Sequence, residues 1–306
     1  MADYLRRANI GPTSKRASIK AMQPPNSIDL PFFAYGLFRP GQLAFFQLRD
    51  LVSSISDPTD VAGTLVLRDG LPIINPGGGD RVAGSLLTFT PELSEEAYRR
   101  VSAMEPAKHY LWKELAIGGK PANLLIGRSP TRGSVACEEK EWNGWSDPLF
   151  TVAIDVVEET LQSENFSWDL KSLFKLQMAY LLLWSSIERY LSLRYCLDNN
   201  VMRKISQIAS EKGFSMGLRD HVQGIREVYR ADSPREKIIL DPQQPDRAIQ
   251  YYYQVRSNII HRGKAAIRDF DIVSKSLSEL LKIFRTVLTT AQQDIAPRKV
   301  AKLTLF

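Results

Sequence analysis

An arginine and a histidine near the end of one predicted helix have the chemistry needed to cleave a phosphodiester bond. Arg256 and His261 lie in the run Tyr251–Gly263, YYYQVRSNIIHRG. A guanidinium group binds two oxygens of a phosphate, and an imidazole can transfer a proton near neutral pH. Together they suffice for cleavage of RNA without a metal ion. The alternative is a buried histidine that closes the helix and an arginine in a salt bridge.

The spacing of the surrounding residues predicts the helix that carries this pair. Asp246 is a candidate N-cap, and Gly263 is a residue type that ends helices. Five residues of a straight helix advance about 7.5 Å and turn about 140°. Arg256 and His261 can therefore reach one phosphate only if the helix loosens at His261 or if two copies of the chain meet. The apolar stripe of this helix consists of Tyr252, Val255, Ile259 and Ile260.

The run resembles the R-x4-6-H motif of HEPN domains, with Arg256 and His261 at its ends and the Arg-Gly pair that often follows it. The run Ala179–Cys196, AYLLLWSSIERYLSLRYC, is similar to the long apolar helix of that family, which carries an internal acidic residue, here Glu188. The resemblance implies an all-α bundle with endoribonuclease activity that needs neither a metal ion nor another cofactor. It also implies a homodimer in which two motifs line one cleft.

The same resemblance implies a role for each polar residue of the motif. His261 would assist removal of the ribose 2′-OH proton or protonation of the leaving oxygen, and Arg256 would stabilise charge on the phosphorane. Asn258 would help to orient the phosphate of the RNA partner. Glu188 would orient Arg256 from inside the bundle, and the alternative for Glu188 is a partly exposed helix carboxylate.

The N-terminal half carries a second resemblance. Residues 32–128 resemble the γ-glutamylcyclotransferase-like (AIG2-like) fold, a small mixed β-barrel. The family's opening Y-G-[ST]-L-R-x-G, its V-x-G-x-L segments and its acid followed by a tyrosine appear in order at Tyr35–Gly41, Val61–Leu65, Val82–Leu86 and Glu105 with Tyr110.

This second resemblance implies a ligand site. By position, the backbone N–H groups of Tyr35, Gly36, Leu37 and Phe38 would hold a substrate carboxylate, because consecutive N–H donors in a turn form an anion-binding nest. Glu105 would act as general acid and base on the α-amine, with its pKa raised toward the working range by the small barrel mouth.

Three positions depart from the pattern of that family. Leu37 replaces a small hydroxyl residue, Phe38 replaces a leucine, and Pro106 follows Glu105 where glycine is usual. The cradle is therefore more apolar than in the family. Three functions stay open for this part of the chain: a cyclotransferase that releases 5-oxoproline, a sensor of a small anionic or amide-bearing ligand, and a purely structural barrel.

The composition predicts a protein with ordinary packed cores. The 306 residues are 44% hydrophobic and 24% charged. Two cysteines, Cys137 and Cys196, make no disulfide framework, and three histidines offer no metal-ligand spacing. The chain lacks an apolar run of the roughly 18 residues that cross a membrane, and residues 1–30 lack the apolar core of a signal peptide. The sequence therefore predicts a cytoplasmic protein without a membrane partner.

Positive charge is concentrated in the C-terminal half. Residues 1–164 hold 17 Lys and Arg against 20 Asp and Glu, giving −3, and residues 165–306 hold 23 against 14, giving +9, which together make the net charge of +6. A basic surface attracts the phosphate backbone of a nucleic acid, although many solvated helical faces are basic without binding anything.

The periodicities predict an α+β chain in three parts. Residues 1–30 are a flexible arm, residues 31–146 the cyclotransferase-like barrel and residues 147–306 the all-α bundle, with Asp220–Tyr229 as a short helix and Ala231–Arg247 as a loop. The combination predicts a toxin-like or defence ribonuclease regulated by a ligand-sensing barrel. Two other classes stay open: a cyclotransferase that the helices only dimerise, and a non-catalytic module that binds RNA or protein.

Overall fold

A computed structural model describes residues 22–163, 168–195, 201–230, 233, 235–262 and 267–295. Within these ranges the chain has a mixed α+β architecture, with sheets in the N-terminal half and mostly helices in the C-terminal half. The predicted class and the predicted order of sheet before helices are confirmed at this level. The predicted domain boundary near residue 146 stays a prediction.

Within residues 22–163, the strands form two sheets. The larger sheet has the order β2-β6-β1-β8-β7, with β3 also paired to β6, and the smaller sheet has the order β5-β4-β9. β1 and β8 run parallel, whereas the other neighbours are antiparallel. The strands are β1 (Phe32–Ala34), β2 (Val52–Ile55), β3 (Thr59–Ala62), β4 (Thr64–Arg68), β5 (Leu71–Asn75), β6 (Arg81–Phe89), β7 (Tyr110–Ile117), β8 (Lys120–Gly127) and β9 (Val135–Ala136).

The sheets stay open, so the prediction of a closed barrel is wrong. β2 and β7 are the ends of the larger sheet, and no ladder joins them in the part of the chain that the structure describes. The nine-residue β6 pairs with β1 on one side and with the short strands β2 and β3 one after the other on its other side. The V-x-G-x-L segments of the sequence fall on strands, Val61–Leu65 on β3 and β4 and Val82–Leu86 on β6, but they carry no information on this pairing.

Helix α1 (Ser94–Met104) packs against the larger sheet. Ala97, Tyr98 and Val101 are fully buried, and their spacing of one, three and four residues places them on adjoining parts of one helix face. The Tyr98 hydroxyl donates to the Leu30 carbonyl oxygen at 2.6 Å and accepts from the Asn123 side-chain amide at 3.0 Å. The buried Tyr98 hydroxyl therefore both donates and accepts a hydrogen bond, and these two bonds fix the position of α1 on the sheet.

The last part of the predicted arm is attached to the larger sheet. The Trp112 indole N–H donates to the Gln23 carbonyl oxygen at 3.0 Å, and the Asn123 amide donates to the Ser27 carbonyl oxygen at 2.7 Å. Met22 is buried in the same core. Residues 22–30 are thus held in place, and residues 1–21 of the predicted arm lie outside the described residues.

The C-terminal half consists of helices and one β-hairpin. The helices are α2 (Val152–Gln162), α3 (Leu170–Tyr195), α4 (Val201–Ala209), α5 (Lys212–His221), α6 (Pro245–Arg262) and α7 (Ile267–Ile295), and the hairpin strands are β10 (Arg226–Tyr229) and β11 (Lys237–Leu240). α5 lies close to α7 because two glycines face it: a Cβ on Gly213 would come within 2.7 Å of the Val287 Cα, and one on Gly217 within 2.9 Å of the Ile283 Cα. No helix among the described residues has the length and apolarity needed to cross a bilayer.

The hairpin corrects the prediction of an all-α bundle. Asp220–Tyr229 was predicted as a helix and Ala231–Arg247 as a loop, yet β10 and β11 pair antiparallel, with Val228 opposite Ile238. Each strand has four residues with a single fully buried side chain, Val228 in β10 and Leu240 in β11. A pattern this short does not distinguish a strand from a helix or a loop, and packing of the hairpin on α6 decides it.

A buried arginine joins the two halves. Arg194 of α3 lies 3.1 Å from Glu211 and 3.4 Å from Asp294 in two ion pairs, and its guanidinium carbon lies 4.1 Å from the centre of the Phe46 ring. Phe46 lies between β1 and β2 in the N-terminal half and also packs edge-on against Tyr195. The side chains of one continuous core therefore connect the sheet to the helices.

Candidate functional site

Glu105 lies in a small cavity of the N-terminal half together with the residues of the predicted cradle. Its lining includes Tyr35, Gly36, Leu37 and Phe38, with Phe32, Pro72, Tyr110 and Leu125 among the other walls. The cavity has a volume of about 20 Å³, which is the space of about one water molecule. The structure thus brings Glu105 together with all four residues of the predicted cradle, in a space that is narrow and largely apolar.

The position of Glu105 follows from its neighbours in the sequence. It caps α1, with its N–H donating to the Val101 carbonyl oxygen at 3.1 Å, and its own backbone is extended at φ −98° and ψ 126°. A residue before proline is restricted to such conformations. Pro106, which departs from the family pattern, therefore ends the helix and turns Glu105 away from it.

The opposite wall of the cavity is held by two contacts to one proline. The Tyr110 hydroxyl donates to the Pro72 carbonyl oxygen at 3.0 Å and is buried there. Gly36 lies so close to the Pro72 ring that an added Cβ would come within 2.7 Å of its Cγ. Gly36 is therefore required for this approach of the cradle loop to β5.

Burial raises the pKa of the Glu105 carboxyl to about 8. Glu105 as a whole residue is only half-buried, but its carboxyl group is enclosed. This enclosure disfavours the ionised carboxylate and so raises the pKa. Burial also raises the pKa of Tyr35 well above its usual range, and the nearby Glu105 carboxylate adds to this. A carboxyl group with such a pKa can both donate and accept a proton at neutral pH.

The second candidate site lies on α6. The Arg256 Nη2 is 3.6 Å from the Glu188 Oε1 of α3, and the two side chains are 26% and 28% exposed. The guanidinium carbon of Arg256 also lies 5.6 Å from the centre of the Tyr253 ring. The structure therefore brings Arg256 and Glu188 together at the protein surface, 68 residues apart in the chain.

The contact between Arg256 and Glu188 is electrostatic rather than a hydrogen bond, because 3.6 Å exceeds hydrogen-bond length. The Glu188 Oε1 is buried and accepts no hydrogen bond from the residues that the structure describes. The Glu188 carboxylate thus attracts the Arg256 guanidinium without accepting a hydrogen bond from it. The guanidinium donors remain suited to binding a phosphate.

Asn258 holds the hairpin against α6. Its side-chain N–H donates to the Tyr229 carbonyl oxygen at 2.8 Å, and its Oδ1 accepts from the Gln254 amide at 2.9 Å. One N–H of the amide is thus used within the protein, and one is left for a ligand. His261 belongs to α6 by its backbone, but its side chain and Gly263 lie outside the described residues.

We expect Asn258→Ala to loosen the hairpin. Loss of one hydrogen bond to a backbone carbonyl costs about 1 kcal/mol of the free energy of unfolding, and amide exchange in β10 and β11 should accelerate. Asn258→Asp also removes the donor and sets a carboxylate oxygen against the Tyr229 carbonyl oxygen, so it should accelerate exchange at least as much. Unchanged exchange in both variants, together with a loss of RNA cleavage, would instead assign Asn258 to phosphate binding alone.

The sequence-based prediction missed two contributors to this region. Tyr253 precedes Arg256 by three residues on one helix face, so helical spacing could have revealed it. Tyr229 comes from the hairpin, and no signal in the sequence placed that hairpin beside α6. Among the described residues, no group of three or more His, Cys, Asp or Glu side chains could hold a metal ion.

No known protein family, characterised protein or solved structure matches this chain.

Proposed function

We propose that the helical half of this protein is an endoribonuclease of the HEPN type that acts on RNA in the cytoplasm without a metal ion. The observation that carries the proposal is the ion pair between Arg256 and Glu188, which keeps a guanidinium group at the surface of α6 five residues before His261. The test is whether purified protein cleaves RNA and whether Arg256→Ala and His261→Ala each abolish that cleavage.

The reaction would be an internal transfer of the phosphodiester. His261 accepts the proton of the ribose 2′-OH, the 2′ oxygen forms a bond to phosphorus, and the bond from phosphorus to the 5′ oxygen breaks. The leaving oxygen takes a proton, so the products are a 2′,3′-cyclic phosphate and a 5′-OH, and no water is consumed. Arg256 stabilises the charge that develops on the phosphorane oxygens.

A second copy of the chain would complete the site. Arg256 and His261 diverge by about 140° around α6, and one histidine in each chain cannot both accept and donate a proton at the same moment. Two copies would provide a base from one chain and an acid from the other. The charge of +9 in residues 165–306 favours an anionic partner such as RNA.

An exposed apolar face on α2 and α3 fits such a dimer. Val152 and Val156 of α2 and Phe174 and Met178 of α3 are 43% to 67% exposed. The acidic Asp155 and Glu159 flank this face on α2, and the basic Lys171 and Lys175 flank it on α3. In a symmetric pair, where each α2 meets the α3 of the other copy, the acidic rim would face the basic rim.

We expect the protein to sediment as a dimer and Met178→Glu to convert it to a folded monomer. A charge at the centre of an apolar interface loses its hydration when the two copies associate, which weakens association strongly. Val135→Glu is the matched control, because Val135 is 65% exposed and Met178 67% exposed but Val135 lies on β9. A strictly monomeric wild type at micromolar concentration that still cleaves RNA would contradict the composite site.

The Glu105 cavity supports a second function for the N-terminal half. A carboxyl group with a pKa of about 8 beside the Tyr35–Phe38 segment suits a small ligand with an amine or amide and an anionic group. Because the cavity admits only about one water molecule, we propose that this half senses such a ligand by opening and thereby regulates the ribonuclease. Turnover of γ-glutamyl compounds to 5-oxoproline is the enzymatic alternative.

A further inference from the structure

We propose that a cavity between the hairpin, α6 and α7 binds one amino-bearing nucleobase of the RNA. This hairpin cavity has a volume of about 450 Å³, and its walls include Glu227, Tyr229, Asn258, Ile259, Asp269 and Ile272. Volumes of about 300–1,000 Å³ are typical of sites for small organic ligands. The proposal rests on the proposed ribonuclease function, and it names the group that would be recognised beside the cleaved phosphate.

The walls of the hairpin cavity combine apolar surfaces with an aromatic ring. Ile259 of α6 and Ile272 of α7 are apolar and partly buried, and Val273 beside them is fully buried. Tyr229 at the end of β10 is 41% exposed. A flat ring stacks on such a side chain and is sandwiched by such walls, as bases of single-stranded RNA are in proteins.

The polar groups of the hairpin cavity mainly accept hydrogen bonds. Two carboxylates, Glu227 and Asp269, lie in its lining, and none of the described lining residues carries a positive charge. The Lys237 ammonium donates to the Glu227 carboxylate at 2.8 Å, and this hydrogen bond holds the pKa of Glu227 below its usual range. Glu227 therefore stays ionised at neutral pH.

This distribution of charge selects one part of a nucleotide. Carboxylates repel a phosphate but accept hydrogen bonds from the exocyclic amine of cytosine, and the amine of adenine has the same donor chemistry. The base would enter the cavity, and the phosphate would remain outside. Uracil and hypoxanthine carry a carbonyl oxygen in place of the amine, so they would face the carboxylates with an acceptor and with only the adjacent ring N–H as a donor, and they would bind less tightly.

The cavity lies next to the residue proposed to hold the phosphate. Val255, Asn258 and Ile259 form its wall on α6, and Arg256 lies about 60° around the helix from Ile259. The phosphate would thus bind at Arg256 on one side of this wall while a base of the same RNA enters the cavity on the other. Asn258, which ties Tyr229 to α6 at 2.8 Å, keeps the aromatic wall in position.

The test is direct binding of nucleosides to the intact protein by isothermal titration calorimetry, with no cleavage required. Two pairs of nucleosides test recognition of the amine edge of the base: adenosine against inosine, and cytidine against uridine. We expect the amino-bearing member of each pair to bind at least about tenfold more tightly. Ile272→Trp should fill the cavity and abolish binding, with circular dichroism showing an unchanged fold.

A pair of neighbouring aspartates on α7 provides the matched variants. Asp269→Asn places an amide donor in the cavity, so the preference for the amine should fall by about tenfold or reverse. Asp271 is exposed and is not part of the lining, so Asp271→Asn should bind as the wild type does.

Three outcomes would overturn the proposal: no nucleoside binding at millimolar concentration, equal binding within both pairs, or displacement of adenosine by spermidine, which would show a site for organic cations. Nucleoside selection without RNA cleavage would reject the ribonuclease and leave the base site standing. Cleavage that ignores base identity and survives Ile272→Trp would reject the base site alone.

Discussion

Arg256→Ala and His261→Ala are each expected to reduce RNA cleavage by the intact protein at least about a hundredfold, which is the usual loss when a charge-stabilising donor or a general acid or base is removed. Arginine cannot move the proton, and histidine cannot bind the phosphate with two donors, so neither compensates for the other. The double variant should be little worse than either single variant, because effects within one catalytic unit are not additive.

Matched controls separate this loss from damage to the fold. Arg247→Ala removes an exposed arginine at the other end of α6, and His221→Ala removes a histidine that also ends a helix, α5. Both should cleave RNA as the wild type does. Near a helix end, His261→Ala should cost no more than about 1–2 kcal/mol of the free energy of unfolding, so the variant should remain folded.

The products and the metal requirement provide independent checks on the same reaction. Cleavage should leave 2′,3′-cyclic phosphate ends and persist in EDTA, because the proposed proton transfers and charge stabilisation use only protein side chains. Undiminished cleavage by folded His261→Ala, or cleavage abolished by EDTA, would show that Arg256 and His261 are structural. RNA binding without any cleavage would favour a non-catalytic module.

Glu105→Gln is expected to stabilise the protein at pH 8 by roughly 2–4 kcal/mol. The folded protein keeps the proton of Glu105 up to a pKa of about 8, whereas an ordinary glutamate releases it near 4.5. Between these values the folded state holds more protons than the unfolded state, so wild-type stability falls as the pH rises from about 4.5 to 8. The neutral amide of glutamine has no such penalty, and partial exposure of Glu105 keeps the effect below the full difference.

Urea unfolding at pH 5 and pH 8 measures this effect. The two proteins should differ little at pH 5, and the variant should be the more stable at pH 8. Glu139→Gln is the control, because Glu139 is exposed, and its pH dependence should follow that of the wild type. A Glu105→Gln protein less stable than the wild type at pH 8 would mean that the carboxylate has a partner in the folded state.

The same variant separates the two functions proposed for the Glu105 cavity. If this half senses a ligand, the wild type should release little 5-oxoproline from γ-glutamyl peptides, and a bound ligand should change the rate of RNA cleavage. Substantial release that disappears in Glu105→Gln would make the protein a cyclotransferase, with the helical half serving to dimerise it.

Local chemistry, which the sequence carries, determined several features of this protein. The apolar spacing around Arg256 predicted the helix that became α6. Pro106 restricts the backbone of Glu105, and α1 ends just before it. The order of a sheet-rich half before a helical half was also readable, because strand and helix periods differ along the chain. These features depend on residues within a few turns of one another.

Tertiary structure decided everything that depends on contacts between distant residues. Glu188 meets Arg256 only because α3 packs on α6. The four-residue strands β10 and β11 pair with each other and are held against α6 by contacts such as that of Asn258 with Tyr229. The larger sheet is open because its end strands β2 and β7 do not pair with each other among the described residues, and no local pattern encodes this. The raised pKa of Glu105 likewise arises from burial. Burial depends on how the whole chain packs and not on the residues next to Glu105 in the sequence.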